Sequence, residues 1–328
     1  MSVGEMGLSE AENQESAPSL FRDLVAIARV DHWFKSLFMV PGMALATLLS
    51  PTELDSSVFG GLVVAVLATC LAASANYSIN EWLDAEFDRH HPVKHARPAA
   101  SGRLSAIHVY AQWAVLSCLS LTLSILITPI FTGIIAFFLV MGLIYNVRPI
   151  RAKDRAYLDV LVESVNNPIR LLLGWLPILP FVLPPSSVLL AYWMGGAYLM
   201  AVKRFSEYRF IGDPEQAGRY RASFATYTED SLLLSAVFYA IGSSFFLGVF
   251  LIKYRIEYLL VAPALTLLFV WYLALGLRKD SVTQRPEKLY REGRFMAFVA
   301  FLGLLFVVLT FVDMPWMAIL VNDHVLKP

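Results

Sequence analysis

Long apolar stretches alternate with polar segments along the chain. A helix that crosses a bilayer needs about 20 mostly apolar residues, and nine stretches of this sequence are apolar enough to qualify. The pattern predicts an all-α fold, a polytopic membrane bundle of about nine transmembrane helices. The nine stretches lie at residues 34–50, 57–80, 107–128, 130–147, 157–183, 186–203, 231–252, 257–277 and 295–313.

Prolines interrupt this pattern. The short connections between apolar stretches carry proline where a helix should stop. The fifth stretch holds Pro168, Pro177 and Pro180 within an otherwise apolar run. Because a proline in a helix interior removes a backbone hydrogen bond and clashes with the preceding turn, we expect this helix to be kinked or broken.

The composition agrees with a membrane protein. Hydrophobic residues make up 57% of the 328 residues, charged residues make up only 16%, and the mean hydropathy is +0.60. Soluble domains are typically about 45–50% apolar and about 25% charged. The two cysteines, Cys70 and Cys118, both lie in apolar stretches, which argues against a disulfide framework or a zinc cluster.

Basic residues are concentrated on one side of the predicted bundle. Four long loops hold 19 of the 26 Lys and Arg residues, whereas the short loops of the other side hold only Lys253 and Arg255. The long loops are residues 81–106, 148–156, 203–228 and 278–294. Positive loops stay inside, so the sequence predicts an integral protein of the plasma (inner) membrane whose long loops face the cytoplasm.

The first residues differ from the rest of the chain. Residues 1–20 are polar and acidic, and they lack the basic start and apolar centre of a signal peptide. We expect a disordered cytoplasmic tail at 1–20, followed by a single transmembrane domain at 21–328.

The second apolar stretch ends in a regular pattern of polar residues. If its helix continues, Asn80, Asp84 and Asp88 recur every four residues and share one face. Carboxylates at this spacing repel one another on a bare helix, but a hard divalent cation bound together with a substrate phosphate makes them favourable. The alternative is a solvated acidic helix end. The membrane-boundary position of Asn80 and the basic run that follows favour a metal–phosphate site.

That basic run covers residues 89–98. Pro92 and Pro98 exclude a regular helix, so the run is expected to form an ordered or substrate-clamping loop. Arg89, Lys94 and Arg97 are candidate ligands of phosphate oxygens, since arginine binds them as a bidentate fork and lysine as a point charge.

A second polar cluster surrounds the fifth apolar stretch. Lys153 and Asp154 lie in the preceding loop, and Asp159, Glu163 and Arg170 then enter the stretch at helical spacing, together with Asn166 or Asn167. Ionisable groups at membrane depth normally face a bundle interior or a wet cavity. The alternative is that Glu163 and Arg170 simply neutralise each other, but even then the stripe marks a cavity.

A third cluster begins where the sixth stretch ends. Lys203 and Arg204 are followed by Glu207 and, further along the same loop, by Arg221 and Tyr227. Taken alone, Lys203 and Arg204 suit positively charged topology anchors.

These motifs resemble the UbiA superfamily of intramembrane transferases, and more closely the branch that includes decaprenyl-phosphate phosphoribosyltransferase. The resemblance covers about residues 29–230. Glu81 departs from the family pattern, which usually has Asp there, and four residues instead of three separate Asp154 from Asp159. The matching segments are His32-Trp33-x-Lys35-Ser36, Ser74-Ala75-x-Tyr77-x-x-Asn80-Glu81, Asp88-Arg89-x-His91-Pro92-x-Lys94-x-x-Arg97-Pro98 and Lys203-Arg204-Phe205-x-Glu207.

The resemblance implies a UbiA-like fold and a Mg²⁺-dependent transfer that releases diphosphate. In the phosphoribosyl branch the donor is phosphoribosyl diphosphate and the acceptor is a polyprenyl phosphate. The alternative is a prenyltransferase that moves an isoprenoid from an isoprenyl diphosphate to an aromatic or polar-lipid acceptor. A lipid-binding or transport protein without catalysis is the third possibility, and a nucleic-acid partner is not expected.

The resemblance also assigns roles to individual residues. The implied catalytic residues are Asn80, Asp84, Asp88 and Asp159. The implied metal ligands are Asn80, Glu81, Asp84, Asp88, Asp154 and Asp159. The implied substrate-binding residues are Lys35, Tyr77, Arg89, His91, Lys94, Arg97, Tyr145, Lys153, Glu163, Arg170, Lys203 and Arg204.

Overall fold

The computed structural model describes residues 19–49, 55–89 and 94–320. Within these ranges every regular element is a helix, which confirms the predicted all-α class. The expected N-terminal tail, apart from its last two residues, lies outside the described residues, and so does His91. The side chain of Lys94 is likewise outside the described part.

Twelve α-helices make up most of the described chain. The 3-10 helix Val30–Met39 leads into α2, and a second, Ile256–Val261, leads into α11. The α-helices are α1 (Leu20–Ile27), α2 (Val40–Leu49), α3 (Ser56–Asp88), α4 (Ala106–Ile125), α5 (Pro129–Asn146), α6 (Leu158–Ser164), α7 (Asn166–Trp175), α8 (Ser186–Ile211), α9 (Pro214–Tyr220), α10 (Glu229–Tyr254), α11 (Ala262–Gly276) and α12 (Gly293–Phe311).

Several of these helices suit a bilayer. In the described ranges, six are long and apolar enough to cross a membrane by length and composition: α3, α4, α5, α10, α12 and the continuous segment Ile256–Gly276. The chain is therefore an integral membrane protein. The first and fifth predicted stretches are divided into shorter helices, so the number of nine spans stays a prediction.

The fifth predicted stretch is broken. Helix α6 ends at Ser164 and α7 begins at Asn166, so the expected kink falls just before Pro168. Pro168 lies in the first turn of α7, where its missing N–H costs little within that helix. The break divides the polar stripe of this stretch, with Asp159 and Glu163 on α6 and Arg170 on α7.

Close helix contacts bring the first segment against α7. A Cβ atom on Gly42 would lie 2.0 Å from the carbonyl oxygen of Leu171, and one on Gly174 would lie 2.0 Å from that of Met39. Only glycine allows the two backbones to approach so closely. This contact holds the segment that carries Lys35 beside the helix that carries Arg170.

Two of the hydrophobic clusters in the described chain border the site. One is built mainly by α2, α3, α5 and α7, and the other mainly by α8, α10 and α11. Helix α3 packs along α4, and α8 packs along α10. The polar cavity described next is lined by residues of both cores, Ala73 and Phe138 from the first and Met200 from the second.

Candidate active site

A polar cavity of about 380 Å³ lies where α3, α5, α7 and α8 meet the loop 147–157 and the segment 213–228. Thirteen of the residues that the sequence predicts for the site line this cavity. These are Lys35, Tyr77, Asn80, Asp84, Asp88, Arg97, Tyr145, Lys153, Asp154, Glu163, Arg170, Lys203 and Arg204.

The cavity is positively charged. Among its described lining residues, nine are Lys or Arg and five are Asp or Glu. Such an excess of fixed cations attracts anions and stabilises them where water is partly excluded. The cavity therefore suits a substrate that carries several phosphate groups.

Helix α3 supplies the acidic face of the cavity. The helix continues to Asp88, as the i, i+4 pattern requires, and Asn80, Asp84 and Asp88 all line the cavity. The side-chain amide of Asn80 donates to Asn146. Arg97 donates to the Asp88 carboxylate at 2.7 Å. The basic loop thus folds back onto the last turn of α3.

Asp84 lies between two basic groups of the loop 147–157. Lys153 Nζ contacts Asp84 Oδ1 and also donates to Asn146 Oδ1 at 2.9 Å. Arg151 Nη2 donates to Asp84 Oδ1 at 3.3 Å, and Arg151 Nε donates to Asp154 Oδ2 at 2.7 Å. Burial lowers the pKa of the Lys153 ammonium group, and the neighbouring Asp84 carboxylate opposes this effect.

The backbone of this loop is unusual at two non-glycine residues. Arg151 has φ = 36° and Tyr157 has φ = 65°, both in the left-handed region. Each such residue costs roughly 1–3 kcal/mol. Strain of this kind persists where surrounding contacts fix it, and here it flanks Lys153 and Asp154.

A second group of cations lies on the other elements of the cavity. Lys35 Nζ lies 5.3 Å from the centre of the Tyr77 ring. On α8, Lys203 Nζ lies 3.9 Å from a Glu207 oxygen, and Arg204 donates to Glu207 at 2.9 Å. Arg170 also lines this region, although its Nε is buried without a hydrogen-bond partner.

The acidic groups fit a divalent cation of the Mg²⁺ type. No group of three or more His, Cys, Asp or Glu side chains within the described ranges is arranged to hold a metal on its own. Mg²⁺ does not need such a cage, since it commonly takes one or two carboxylates and completes its shell with substrate phosphates and water. Asn80, Asp84 and Asp88 present suitable oxygens to the cavity.

Two of the residues proposed at the end of α3 lie outside the cavity. Glu81 is buried with 3% exposure and does not line the cavity. Glu81 is three residues from Asp84 and seven from Asp88, so it lies near the same side of α3, and burial rather than helix periodicity keeps it from the cavity. Arg89 also stays outside the cavity, where its Nε donates to the carbonyl oxygen of Ala100 at 3.2 Å.

Asp159 does not line the cavity either, although the resemblance makes it a metal ligand. It is fully buried behind the cavity wall, in contact with Arg204 and Arg221. Glu163 and Arg170 do line the cavity, so the polar stripe of the fifth stretch reaches it only in part.

The structure adds residues that the proposed site lacked. Arg151 and Asn146 contact the Asp84–Lys153 pair, and Arg221 lines the cavity together with Glu207. Arg151 lies two residues before Lys153, and Asn146 directly follows Tyr145. Both could therefore have been proposed from the sequence, because they are close to residues already proposed for the site. For Arg221 the signal was its place in the third basic cluster.

Known proteins are similar to this chain in sequence and in fold. The model of the UbiA prenyltransferase family matches residues 37–302. A decaprenyl-phosphate phosphoribosyltransferase of Mycolicibacterium smegmatis is 30% identical over 230 residues, 69% of each chain. A protoheme IX farnesyltransferase of Roseiflexus castenholzii is 26% identical over 322 residues, 93% of this chain and 55% of the relative.

A solved structure has the same fold. The UbiA homolog from Archaeoglobus fulgidus bound to GPP and Mg²⁺ matches with a TM-score of 0.64 at 18% sequence identity, covering 88% of this chain and 100% of that chain. The family match, the fold and the motif on α3 agree. The chain is therefore a membrane transferase of the UbiA prenyltransferase family, and it belongs with the branch that includes the decaprenyl-phosphate phosphoribosyltransferases.

Proposed function

We propose that the protein transfers a 5-phosphoribosyl group from phosphoribosyl diphosphate to a polyprenyl phosphate, with the help of Mg²⁺, and releases diphosphate. The observation that carries the proposal is the excess of cations, which form two groups around one cavity. Arg97, Arg151 and Lys153 surround the acidic face of α3. The second group consists of Lys35, Arg170, Lys203 and Arg204.

Two cationic groups suit the proposed donor. Phosphoribosyl diphosphate carries a diphosphate on C1 of the ribose and a separate phosphate on C5, and the acceptor brings a third anionic group. An isoprenyl diphosphate has a single anionic end and an apolar tail. The second cationic group can therefore bind the C5 phosphate of the phosphoribosyl donor, whereas an isoprenyl donor has no second anionic group to bind there.

The residues of α3 fit the proposed metal. Asn80, Asp84 and Asp88 would hold Mg²⁺ together with oxygens of the donor diphosphate. Bound there, Mg²⁺ would neutralise charge on the departing diphosphate. Arg97, Arg151 and Lys153, which contact these carboxylates, would turn their remaining donors to the same diphosphate oxygens.

The transfer exchanges one C–O bond for another. The bond between C1 of the ribose and the diphosphate oxygen breaks, and diphosphate leaves with the electron pair. An oxygen of the polyprenyl phosphate forms the new bond to C1. This oxygen is ionised at neutral pH, so the reaction needs no strong general base. The residues of the cavity act by positioning both anions and by stabilising the charge that develops on the leaving group.

The lipid acceptor agrees with the position of the cavity in the bundle. The chain is an integral membrane protein, and the cavity lies at the basic ends of the helices, beside the loops 147–157 and 213–228. We propose that these loops face the cytoplasm, where a water-soluble sugar diphosphate is available, and that the acceptor enters from the plasma membrane.

Prenyl transfer is the second candidate function. The metal-binding face of α3 assists the departure of diphosphate from either donor, and one relative is a protoheme IX farnesyltransferase. Diphosphate leaves in both reactions. The two candidates differ in the group that is transferred to the acceptor, a ribose phosphate or an isoprenoid.

A donor assay distinguishes the candidates. Purified protein in detergent or liposomes is incubated with phosphoribosyl diphosphate labelled in the ribose, a polyprenyl phosphate and Mg²⁺. We expect organic-extractable label that requires the protein, the lipid and the metal. Turnover of an isoprenyl diphosphate without any labelled lipid from the ribosyl donor would overturn the proposal, and an absence of diphosphate release from every donor would favour a non-catalytic protein.

A further inference from the structure

Asp159 is an acidic group beside the cavity whose carboxylate accepts hydrogen bonds from four protein donors. It lies in the first turn of α6 with 0% exposure. Its Oδ2 accepts from Arg204 Nε at 3.3 Å, Arg221 Nε at 3.3 Å and Ser223 Oγ at 3.1 Å, and its Oδ1 accepts from Tyr227 Oη at 2.8 Å. An ionised carboxylate has about four acceptor positions, so these donors occupy it.

The two arginines that bind Asp159 differ in how far they are exposed to the cavity. The Arg204 side chain is only 6% exposed and also binds Glu207, so this guanidinium is largely occupied within the protein. The Arg221 side chain is 21% exposed and lines the cavity. Its Nη2 donates to Tyr145 Oη at 3.1 Å. Arg221 therefore presents a fixed, partly accessible guanidinium to the cavity.

Arg221 is fixed through groups that are distant in sequence. It lies in the segment 213–228, whose residues from Gly218 to Ala222 form part of the cavity wall. Asp159 binds three residues of this segment, Arg221, Ser223 and Tyr227. Two guanidinium groups beside one another would repel, and the buried carboxylate between them offsets this repulsion.

We propose that Asp159 is a positioning residue, which holds Arg221 against the cavity as a binding group for the second phosphate of the donor, and that it is not a metal ligand. The identity of that phosphate, on C5 of the ribose, rests on the proposed function. The positioning role itself rests on the four hydrogen bonds of the carboxylate and on its separation from the cavity.

The test compares the charge-removing variants Asp159→Asn and Asp84→Asn in the full-length protein. Loss of a charge-assisted contact to phosphate corresponds to about a tenfold change or more. For Asp159→Asn we expect a rise of this size in KM for phosphoribosyl diphosphate. KM for the polyprenyl phosphate and the Mg²⁺ concentration for half-maximal activity should stay within about twofold of wild type. Asp84→Asn should instead raise the Mg²⁺ requirement.

A metal count provides a readout that does not depend on turnover. Electron paramagnetic resonance measures the Mn²⁺ bound by each purified protein in the presence of inorganic diphosphate. We expect Asp159→Asn to bind as much Mn²⁺ as wild type, and Asp84→Asn to bind less. Asp313→Asn is the matched control, since Asp313 also binds a guanidinium, that of Arg255 at 2.7 Å, but away from the cavity.

Milder variants keep the test decisive if Asp159→Asn does not fold. Tyr227→Phe removes a single donor to Asp159, and Arg221→Lys keeps the positive charge without the guanidinium fork. We expect both to raise KM for the donor while the bound Mn²⁺ is unchanged. Thermal unfolding of each variant identifies those that remain folded.

Two results would overturn the inference. One is a loss of bound Mn²⁺ in Asp159→Asn that matches the loss in Asp84→Asn. The other is an unchanged KM for the donor in folded Asp159→Asn and Arg221→Lys. Failure of the proposed function looks different, because wild type would then form no lipid-linked ribose phosphate. In that case the Mn²⁺ count and KM for an isoprenyl diphosphate decide the role of Asp159.

Discussion

Acidic side chains of this protein take different roles according to their surroundings. Asp84 and Asp88 face the cavity and contact basic groups that can turn to a substrate. Asp159 is buried and its acceptor positions are occupied by protein donors. Glu81, nearly one turn before Asp84 on α3, is buried and does not line the cavity. The residue type alone does not separate these cases, because all four are carboxylates in polar motifs.

The variant Asp84→Asn tests the role of the α3 face. The amide keeps the shape of the side chain but loses the charge that would bind the metal. We expect kcat to fall roughly a hundredfold at saturating substrates, the size typical for a lost electrostatic group in an active site. The measurement is diphosphate release as a function of Mg²⁺. Glu86→Gln is the control, since Glu86 lies on the same helix, is exposed and does not line the cavity.

Arg151 offers a second residue-level test. It donates to both Asp84 and Asp154, so Arg151→Gln removes a cation from the proposed diphosphate site. We expect KM for the donor to rise about tenfold, as for other charge-assisted contacts. Arg155→Gln is the matched control in the same loop, because Arg155 binds the carbonyl oxygen of Pro149 and does not line the cavity. Equal kinetics of the two variants would contradict a role of Arg151.

Among the helices, the break between α6 and α7 and the close contact of α2 with α7 shape the site. Glu163 on α6 and Arg170 on α7 both line the cavity across the break, whereas Asp159, in the first turn of α6, lies behind its wall. Gly42 allows α2 to approach the backbone of α7 at Leu171. These contacts place elements from distant parts of the chain around the same volume.

The variant Gly42→Ala tests this contact. Its new methyl group would meet the carbonyl oxygen of Leu171 at 2.0 Å, so the two helices must separate. Overpacking of this kind costs about 1–3 kcal/mol, and we expect a lower midpoint of thermal unfolding in detergent. Gly60→Ala is the control, because no atom lies within 4 Å of its added Cβ. A Gly60→Ala midpoint as low as that of Gly42→Ala would argue against the steric explanation.

For the molecule as a whole, the distribution of charge predicts its orientation. The long loops carry most of the basic residues, and the cavity lies among them. A cytoplasmic position of these loops would give the cavity access to a water-soluble donor. The opposite ends of the helices, near Lys253 and Arg255, would then lie outside.

Cysteine labelling tests this orientation. Lys279→Cys and Lys253→Cys place exposed thiols on opposite predicted sides, in a background in which Cys70 and Cys118 are replaced by alanine. A membrane-impermeant maleimide should label Lys253→Cys in intact cells and Lys279→Cys only after lysis. The reverse pattern would invert the topology, and the diphosphate release of the background protein checks that it is intact.

The local features of this protein were readable from its sequence. Apolar length indicated membrane helices, prolines indicated the broken fifth stretch, and the i, i+4 spacing indicated that Asn80, Asp84 and Asp88 share one face. All of these depend on backbone periodicity, which a sequence expresses directly. The all-α class followed from them, whereas the family followed from the resemblance of the polar motifs.

Contacts between distant segments were decided by the tertiary structure. Lys153 meets Asp84 across 69 positions of the chain, and Tyr227 meets Asp159 across 68. Periodicity contains no information on such pairs, because they depend on how helices pack and where a helix bends. The sequence therefore determined which polar groups the chain has at its helix ends. Packing determined that Asp84 faces the cavity, whereas Asp159 lies behind its wall with its acceptor positions filled by protein donors.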